Sequence, residues 1–259
     1  MRKIYPIVFI VLALFVRAGA QTEQNGEFIA EEQKPFIIAG VKFINKSIIE
    51  KSESKMFEIK ASYPELADAS PAIAARFNEL TKTKVMKELR EFKKIALAQT
   101  EDASAFAGER NFGSIYLEMN YRLDFANERV LSVAFGNSAY EGGESPNLYS
   151  FTINFDLKTG KKIELADIFK PNSNYLKFLS DYSIRNLKEK LEDMSDEEWL
   201  QNGAGAQPEN FGSWNLTKKG LLINFDPVRV ASAAAGPRQV LIPYSDLKGI
   251  LQENGVISQ

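Results

Sequence analysis

The chain has 259 residues, with 32 Lys and Arg against 34 Asp and Glu and a formal net charge of −2. So even a balance gives no broad attraction for nucleic acid or anionic lipid, and neither is expected as a partner. Histidine and cysteine are both absent. That excludes Ser-His-Asp and Cys-His nucleophiles, zinc sites built on His or Cys, and disulfides.

Carboxylate chemistry, Ser-Lys chemistry, oxygen-ligand metals, or no chemistry at all remain open. With 44% apolar residues and 18 Phe, the chain has material for one large core or two small ones. No cofactor and no metal site is expected.

Residues 1–20 read as an export signal. Arg2 and Lys3 give the positive start, Ile7 to Val16 is an apolar run, and Ala18-Gly19-Ala20 gives a small-x-small cleavage site. The run of ten is short of the about 20 residues that span a bilayer, so an uncleaved anchor is the lesser reading. Cleavage after Ala20 and a periplasmic or secreted location are expected, with no membrane span afterwards. Removal of Arg2, Lys3 and Arg17, with no acid, takes the net charge to −5.

Residues 21–35 are polar and read as a flexible leader. A first strand is expected within Ile37 to Ile49. Phe57, Ile59, Ala61 and Tyr63 alternate with polar residues as a half-buried strand that Pro64 ends. Ser70-Pro71 opens a helix, with Ile73, Phe77, Leu80, Val85, Leu89, Phe92 and Ala96 on its apolar face. Lys82, Lys84, Lys87, Arg90 and Lys93 form the opposite, solvated face.

From Ile115 to Phe125 the alternation predicts a strand. A turn at Asn127-Glu128 and a return through Leu131, Val133 and Phe135 complete a hairpin. Tyr149 to Phe155 is a further strand, followed by a turn over Asp156 to Gly160 and a return over Lys162 to Leu165. Tyr175 to Met194 is a second helix, and Ser195-x-x-Glu198 is a capping box for a short acidic segment. Asn202 to Asn210 is a loop. Leu221 to Phe225, a Pro227 stop, a small-residue loop to Gly236-Pro237, a last strand and a helix capped by Ser245 close the chain.

Strands in runs with segregated helices predict an α+β fold: an antiparallel sheet with helices packed on one face, in two lobes. The expected division is signal 1–20, leader 21–35, a smaller domain 36–110 and a larger one 111–259.

The best candidate site is the loop Tyr140-Glu141-Gly142-Gly143-Glu144-Ser145-Pro146-Asn147. Its glycines let backbone approach a ligand, and Tyr140, Glu141, Glu144, Ser145 and Asn147 offer contacts. The plain alternative is a strand-to-strand turn. Glu141 and Glu144 have the residue types of a glycosidase acid and base, but spacing alone does not select them. Arg229 and Arg238, near the closing strands, complete the candidate contacts, with solvent exposure or a local ion pair as the plain alternative. No calcium loop, buried Ser-x-x-Lys helix or phosphate loop occurs. Asn45-Lys46-Ser47 and Asn215-Leu216-Thr217 fit the glycosylation pattern, which matters only in a eukaryotic secretory route.

Three segments together resemble a bacterial envelope family. They are Glu141 to Asn147, then Phe155-Asp156-Leu157-Lys158-Thr159-Gly160-Lys161 with Leu165-Ala166-Asp167-Ile168-Phe169, and the run from Gly220 to Leu247. The family is the RsiV-type extracellular domain of lysozyme-sensing anti-sigma factors and PdaC-like peptidoglycan deacetylases. Tyr63-Pro64-Glu65-Leu66 and Phe77-Asn78 are similar to the smaller domain that precedes it.

The resemblance implies an exported, non-enzymatic, sensor-like binding domain whose partner is a lysozyme-like envelope protein or a cell-wall glycan. A carboxylate-based hydrolase of cell-wall glycan is the alternative. Where the family often has Ala-His in the glycine loop, this chain has Glu144-Ser145, so no role of that histidine carries over. No catalytic residue is assigned.

Overall fold

The computed structural model describes residues 35–52, 57–67, 69–105, 115–253 and 255–257. The expected signal and residues 21–34 of the leader lie outside them. The fold is α+β, with a large antiparallel-dominated sheet and a few helices.

The expected first strand is two strands. Phe36–Ile38 (β1) and Val41–Ser52 (β2) form a hairpin. The turn residues Ala39 and Gly40 both take positive φ, at 50° and 81°, the twist a two-residue hairpin turn requires.

Phe57–Leu66 (β3) then pairs antiparallel with β2. It runs through Pro64 rather than ending there. The Ala67 N–H donates to the Lys42 carbonyl at 2.8 Å, so the odd-numbered residues turn their backbone groups toward β2. The Pro64 nitrogen therefore faces the other side. There Ile115–Ala126 (β4) pairs in parallel only from Phe57 to Ala61, so no donor is missed.

The parallel β3–β4 pair needs a crossover, and Pro71–Ala105 (α1) supplies it. Phe77, Val85, Leu89, Phe92 and Ala96 are buried on the sheet as the periodicity predicts, and Lys82, Lys87 and Arg90 are exposed. Phe77 meets Phe155 edge-on at 5.3 Å. Lys84 lies 5.0 Å over the Phe151 ring and pairs with Glu88 at 2.9 Å.

Val130–Tyr140 (β5), Asn147–Asp156 (β6) and Lys161–Lys162 (β7) complete a seven-stranded sheet in sequential order. The alternation expected through Phe125 breaks at Asp124, where β4 carries one extra residue against β5. Ala126 is thereby buried with the first core, while Phe125 packs on the second. The expected return strand 162–165 is only the two-residue β7, because Leu165–Ile168 turns into a 3-10 helix.

The other face of β4 to β6 is partly covered by a three-stranded sheet, Trp214–Leu216 (β8), Gly220–Phe225 (β9) and Arg238–Pro243 (β10). Tyr175–Leu191 (α2), Glu197–Ala204 (α3) and Tyr244–Leu247 (α4) enclose a second core with it.

Local readings fail at three points here. The Ser195 box does not form. Asp196 caps α3, accepting from Trp199 N–H at 2.8 Å, and Ser195 Oγ instead donates to the Val230 carbonyl at 2.5 Å. The expected 202–210 loop is helical to Ala204 and again from Pro208 to Phe211. Ser245 lies inside α4, which starts after Pro243 with no side-chain cap.

Between the two sheets the contact is polar. Ser132 Oγ donates to Asn154 Oδ1 at 2.6 Å and accepts from Asn215 Nδ2 at 2.9 Å and Leu216 N–H at 3.0 Å. Asn154 Nδ2 donates to the Trp214 carbonyl at 2.8 Å. These residues are buried, so the set fixes how one sheet sits on the other.

Candidate functional site

A cleft of about 240 Å³ opens beside β6, next to the end of the short β7. Thr152 and Asn154 line one side, Lys162 and Glu164 the rim, and Tyr175, Phe211 and Trp214 the apolar wall. Each arrives for a local reason. Glu164 N–H donates to Asp167 Oδ2 at 2.9 Å, which closes the 3-10 turn and ends β7. Tyr175 stacks flat on Phe169 with centroids 4.6 Å apart. Pro208 starts the turn that carries Phe211.

The polar groups of the cleft divide into spent and available. The Asn154 amide is consumed within the sheet contact, and Thr152 Oγ1 accepts from Trp214 N–H at 3.2 Å. Lys162 Nζ stands 2.9 Å from Glu164 Oε1, and both side chains are exposed. A ligand would meet an apolar wall, one ion pair and the strand backbone. That mixture suits an uncharged or zwitterionic molecule.

Arg229 serves this wall from behind. Its Nη2 donates to Asn210 Oδ1 at 2.6 Å, and Asn210 Nδ2 in turn donates to the carbonyls of Asn202 at 3.1 Å and Gly205 at 3.0 Å. The turn bearing Phe211 is thus tied to the end of α3. Gly203 lets the two segments meet, since a Cβ there would lie 1.9 Å from the Arg229 carbonyl oxygen.

The glycine loop lies elsewhere, at the tip of the β5–β6 hairpin. Asn147 and Thr152 are five residues apart on β6, or about 17 Å at strand rise. Tyr140 stacks on Tyr116 at 5.9 Å, Glu141 is half-buried, and Glu144, Ser145 and Asn147 are exposed. Burial pushes the Tyr149 hydroxyl up to about 12, and the carboxylates of Glu88, Glu141 and Glu91 add to the rise.

Arg238 opens β10 opposite Phe225, and its Nε is buried without a hydrogen-bond partner among the described residues. Among those residues no hydrogen bond or ion pair joins either arginine to the loop. The structure keeps the sequence-derived candidates in three places, and only Arg229 touches the cleft's frame.

Sequence reasoning did not single out Thr152, Lys162, Tyr175, Phe211 or Trp214. Their separation along the chain hides them. The one usable signal was the density of aromatic residues just after the Asn202 to Asn210 stretch. Among the described residues no cluster of three or more acidic, His or Cys side chains is placed to hold a metal ion. No helix among them is long and apolar enough to cross a membrane.

This is an α+β module with a cleft beside a partly unpaired strand, and the proteins it is similar to include a peptidoglycan deacetylase and DUF3298 family members. Residues 50–148 match the family described as Deacetylase PdaC, and residues 166–245 match the family described as Protein of unknown function (DUF3298). The two matches fall on successive parts of the chain, so its earlier part is similar to the first family and its later part to the second.

A curated relative, the peptidoglycan-N-acetylmuramic acid deacetylase PdaC of Bacillus subtilis (strain 168), is 26% identical over 203 residues. Those residues are 78% of this chain but only 40% of that protein, so the chain spans about two fifths of its relative's length.

A DUF3298 family member from Bacteroides fragilis NCTC 9343 superposes with a TM-score of 0.56 at 18% identity, covering 90% of this chain and 96% of that one. A second DUF3298 protein, from Pseudomonas aeruginosa PAO1, gives 0.53 at 13%, again covering 90% and 96%. At these identities the likeness is one of fold. The expectation of a non-enzyme does not stand. The curated relative is by name a deacetylase.

Proposed function

We propose that the chain is a peptidoglycan-directed module that serves deacetylation of the cell wall and engages its substrate polymer in the cleft beside β6. The cleft carries the reading. Tyr175, Phe211 and Trp214 form an apolar wall beside the Lys162–Glu164 pair. A polymer of sugar rings and short peptides presents apolar faces edged by amides and charges, which such a wall and rim complement.

The similarity to a peptidoglycan deacetylase supports the cell-wall setting, and the export signal read in residues 1–20 agrees with it. The loop from Glu141 to Asn147, exposed from Gly143 onward, lies farther along the same strand and offers a second contact for a long polymer. Arg229 acts as a brace for the cleft wall, and Arg238 belongs to the end of the small sheet.

The test is co-sedimentation of the purified chain with insoluble peptidoglycan, with acetate measured in the same supernatant. Wild-type protein is expected in the pellet, and Tyr175→Ala with Lys162→Ala is expected to release it. Lysozyme, the protein partner implied by the resemblance, forms a parallel arm. Retention on lysozyme with none on the wall would replace the polymer by a protein partner. Retention on neither would overturn the reading.

A further inference from the structure

We infer that the cleft takes the peptide part of peptidoglycan rather than its sugars, by adding one extended residue to the open edge of β6. The inference rests on the peptidoglycan reading above and names the part of the polymer that is held.

Two hydrogen bonds fix the direction of every backbone group on β6. Leu157 N–H donates to the Arg129 carbonyl of the β4–β5 turn at 2.7 Å, so odd-numbered residues face β5. On the opposite side the Asn154 carbonyl accepts from Ile163 N–H at 2.7 Å, so even-numbered residues face away. The register with β5 is continuous from Val130↔Asp156 to Ala139↔Asn147, and no bulge resets the alternation. The N–H and C=O of Leu148, Ser150 and Thr152 therefore all point outward.

β7 pairs only with Phe155 and Asp156. Beyond it, no backbone partner for those outward groups exists among the described residues. An unpaired strand edge is a template for another extended chain. This one lacks two of the usual protections, for Asn147 to Asn154 holds no charge and no proline.

The cleft lies against this edge at Thr152. The two outward groups of a strand residue point the same way, and the N–H and C=O of one extended amino-acid residue meet both. A lone acetamido group cannot, because its trans N–H and C=O point in opposite directions. With the Asn154 carbonyl already taken by Ile163 N–H, Thr152 is the cleft residue whose two outward groups are both unpaired among the described residues, which is one such residue's worth of pairing. The residue's side chain would meet the wall of Phe211 and Trp214, and the Lys162–Glu164 pair at the rim suits a peptide carrying both an amine and carboxylates.

The experiment compares soluble muropeptides, the same glycan after enzymatic removal of its peptides, and the free stem peptide. Calorimetry and backbone amide exchange are the readouts. The muropeptide and the free peptide are expected to bind and to slow exchange at Thr152. Removing the peptide is expected to weaken binding at least about tenfold.

Thr152→Val loses only the hydroxyl, whereas Thr152→Pro also loses the outward N–H without touching the ladder to β5. The proline variant alone should lose the peptide. Should it fail to fold, the exchange measurement on the wild-type chain decides. Equal binding of peptide-free glycan, with no protection at Thr152, would overturn this inference and leave the peptidoglycan reading intact. Absence of retention on whole wall would instead remove that reading.

Discussion

Asn78 stands in for a strand beside Leu66. Its Oδ1 accepts the Leu66 N–H at 2.7 Å, and its Nδ2 donates to the Leu66 carbonyl at 3.2 Å. β4 has stopped pairing five residues earlier, at Ala61, so the last outward groups of β3 would otherwise lack partners under the start of α1. One side chain on the crossover helix thereby ties helix to sheet. Asn78→Ala should cost about 1–3 kcal/mol of stability, the usual range for stranding a buried backbone group. Asn78→Asp keeps the acceptor for the Leu66 N–H but sets a carboxylate oxygen against the Leu66 carbonyl, so it should also destabilise. Guanidinium chloride unfolding of both variants measures this, and an unchanged midpoint for Asn78→Ala would refute the strand-substitute role.

Ser132 is the hub of the contact between the sheets. Its hydroxyl serves Asn154, Asn215 and the Leu216 N–H together, and Ser132 is fully buried. Ser132→Ala should therefore destabilise by about 2–4 kcal/mol, because more than one buried group loses a partner. Ser→Ala at exposed Ser145 is the control and should lie within about 0.5 kcal/mol of wild type. Equal effects at the two serines would show that the network carries no weight.

Val228 is a β-branched residue in the left-handed region, with φ of 58°, and it is 57% exposed. It sits in the turn where the Arg229 N–H donates to the Asp226 carbonyl at 3.2 Å, and its own carbonyl accepts from Trp199 Nε1 at 3.0 Å. Glycine holds this conformation without the Cβ penalty of about 1–2 kcal/mol, though it adds freedom to the unfolded chain. Val228→Gly should raise stability by about 0.5–1 kcal/mol, seen as a higher melting temperature. A lower one would mean that the valine side chain contributes contacts that outweigh the strain.

Three tyrosines set an alkaline limit. Burial pushes Tyr121, Tyr149 and Tyr244 up to about 12, against the usual value near 10 in the unfolded chain. Above pH ~10 the unfolded state gives up these protons while the folded state keeps them. Stability is then complete below pH ~10 and falls as the pH rises toward ~12. Denaturant titrations across that range, with tyrosinate absorbance of the native protein, should show late ionisation and a falling midpoint. Ionisation of all nine tyrosines near pH 10 in the folded protein would contradict it.

Reading the sequence alone located most elements and little of the candidate site. Period-two runs from Phe57, Ile115, Leu131 and Tyr149 became strands, and the three- and four-residue spacing from Ile73 became the buried face of α1, because side-chain periodicity is a local property. The failures occur where distant groups decide. Ser195 lost its cap role because the Val230 carbonyl, brought near by the fold, takes its hydroxyl. Pro64 did not stop β3 because its neighbour on that side had already ended.

The order of residues by itself determined the apolar and polar faces of each strand and helix, the absence of imidazole and thiol chemistry, and the α+β class. Only the tertiary structure decided that β3 and β4 lie parallel, that the alternation flips at Asp124, and that Thr152, Lys162, Tyr175 and Phe211 share one cleft. Periodicity is written within a few neighbouring residues. A cleft assembled across sixty positions depends on which surfaces pack and which backbone edges are left open.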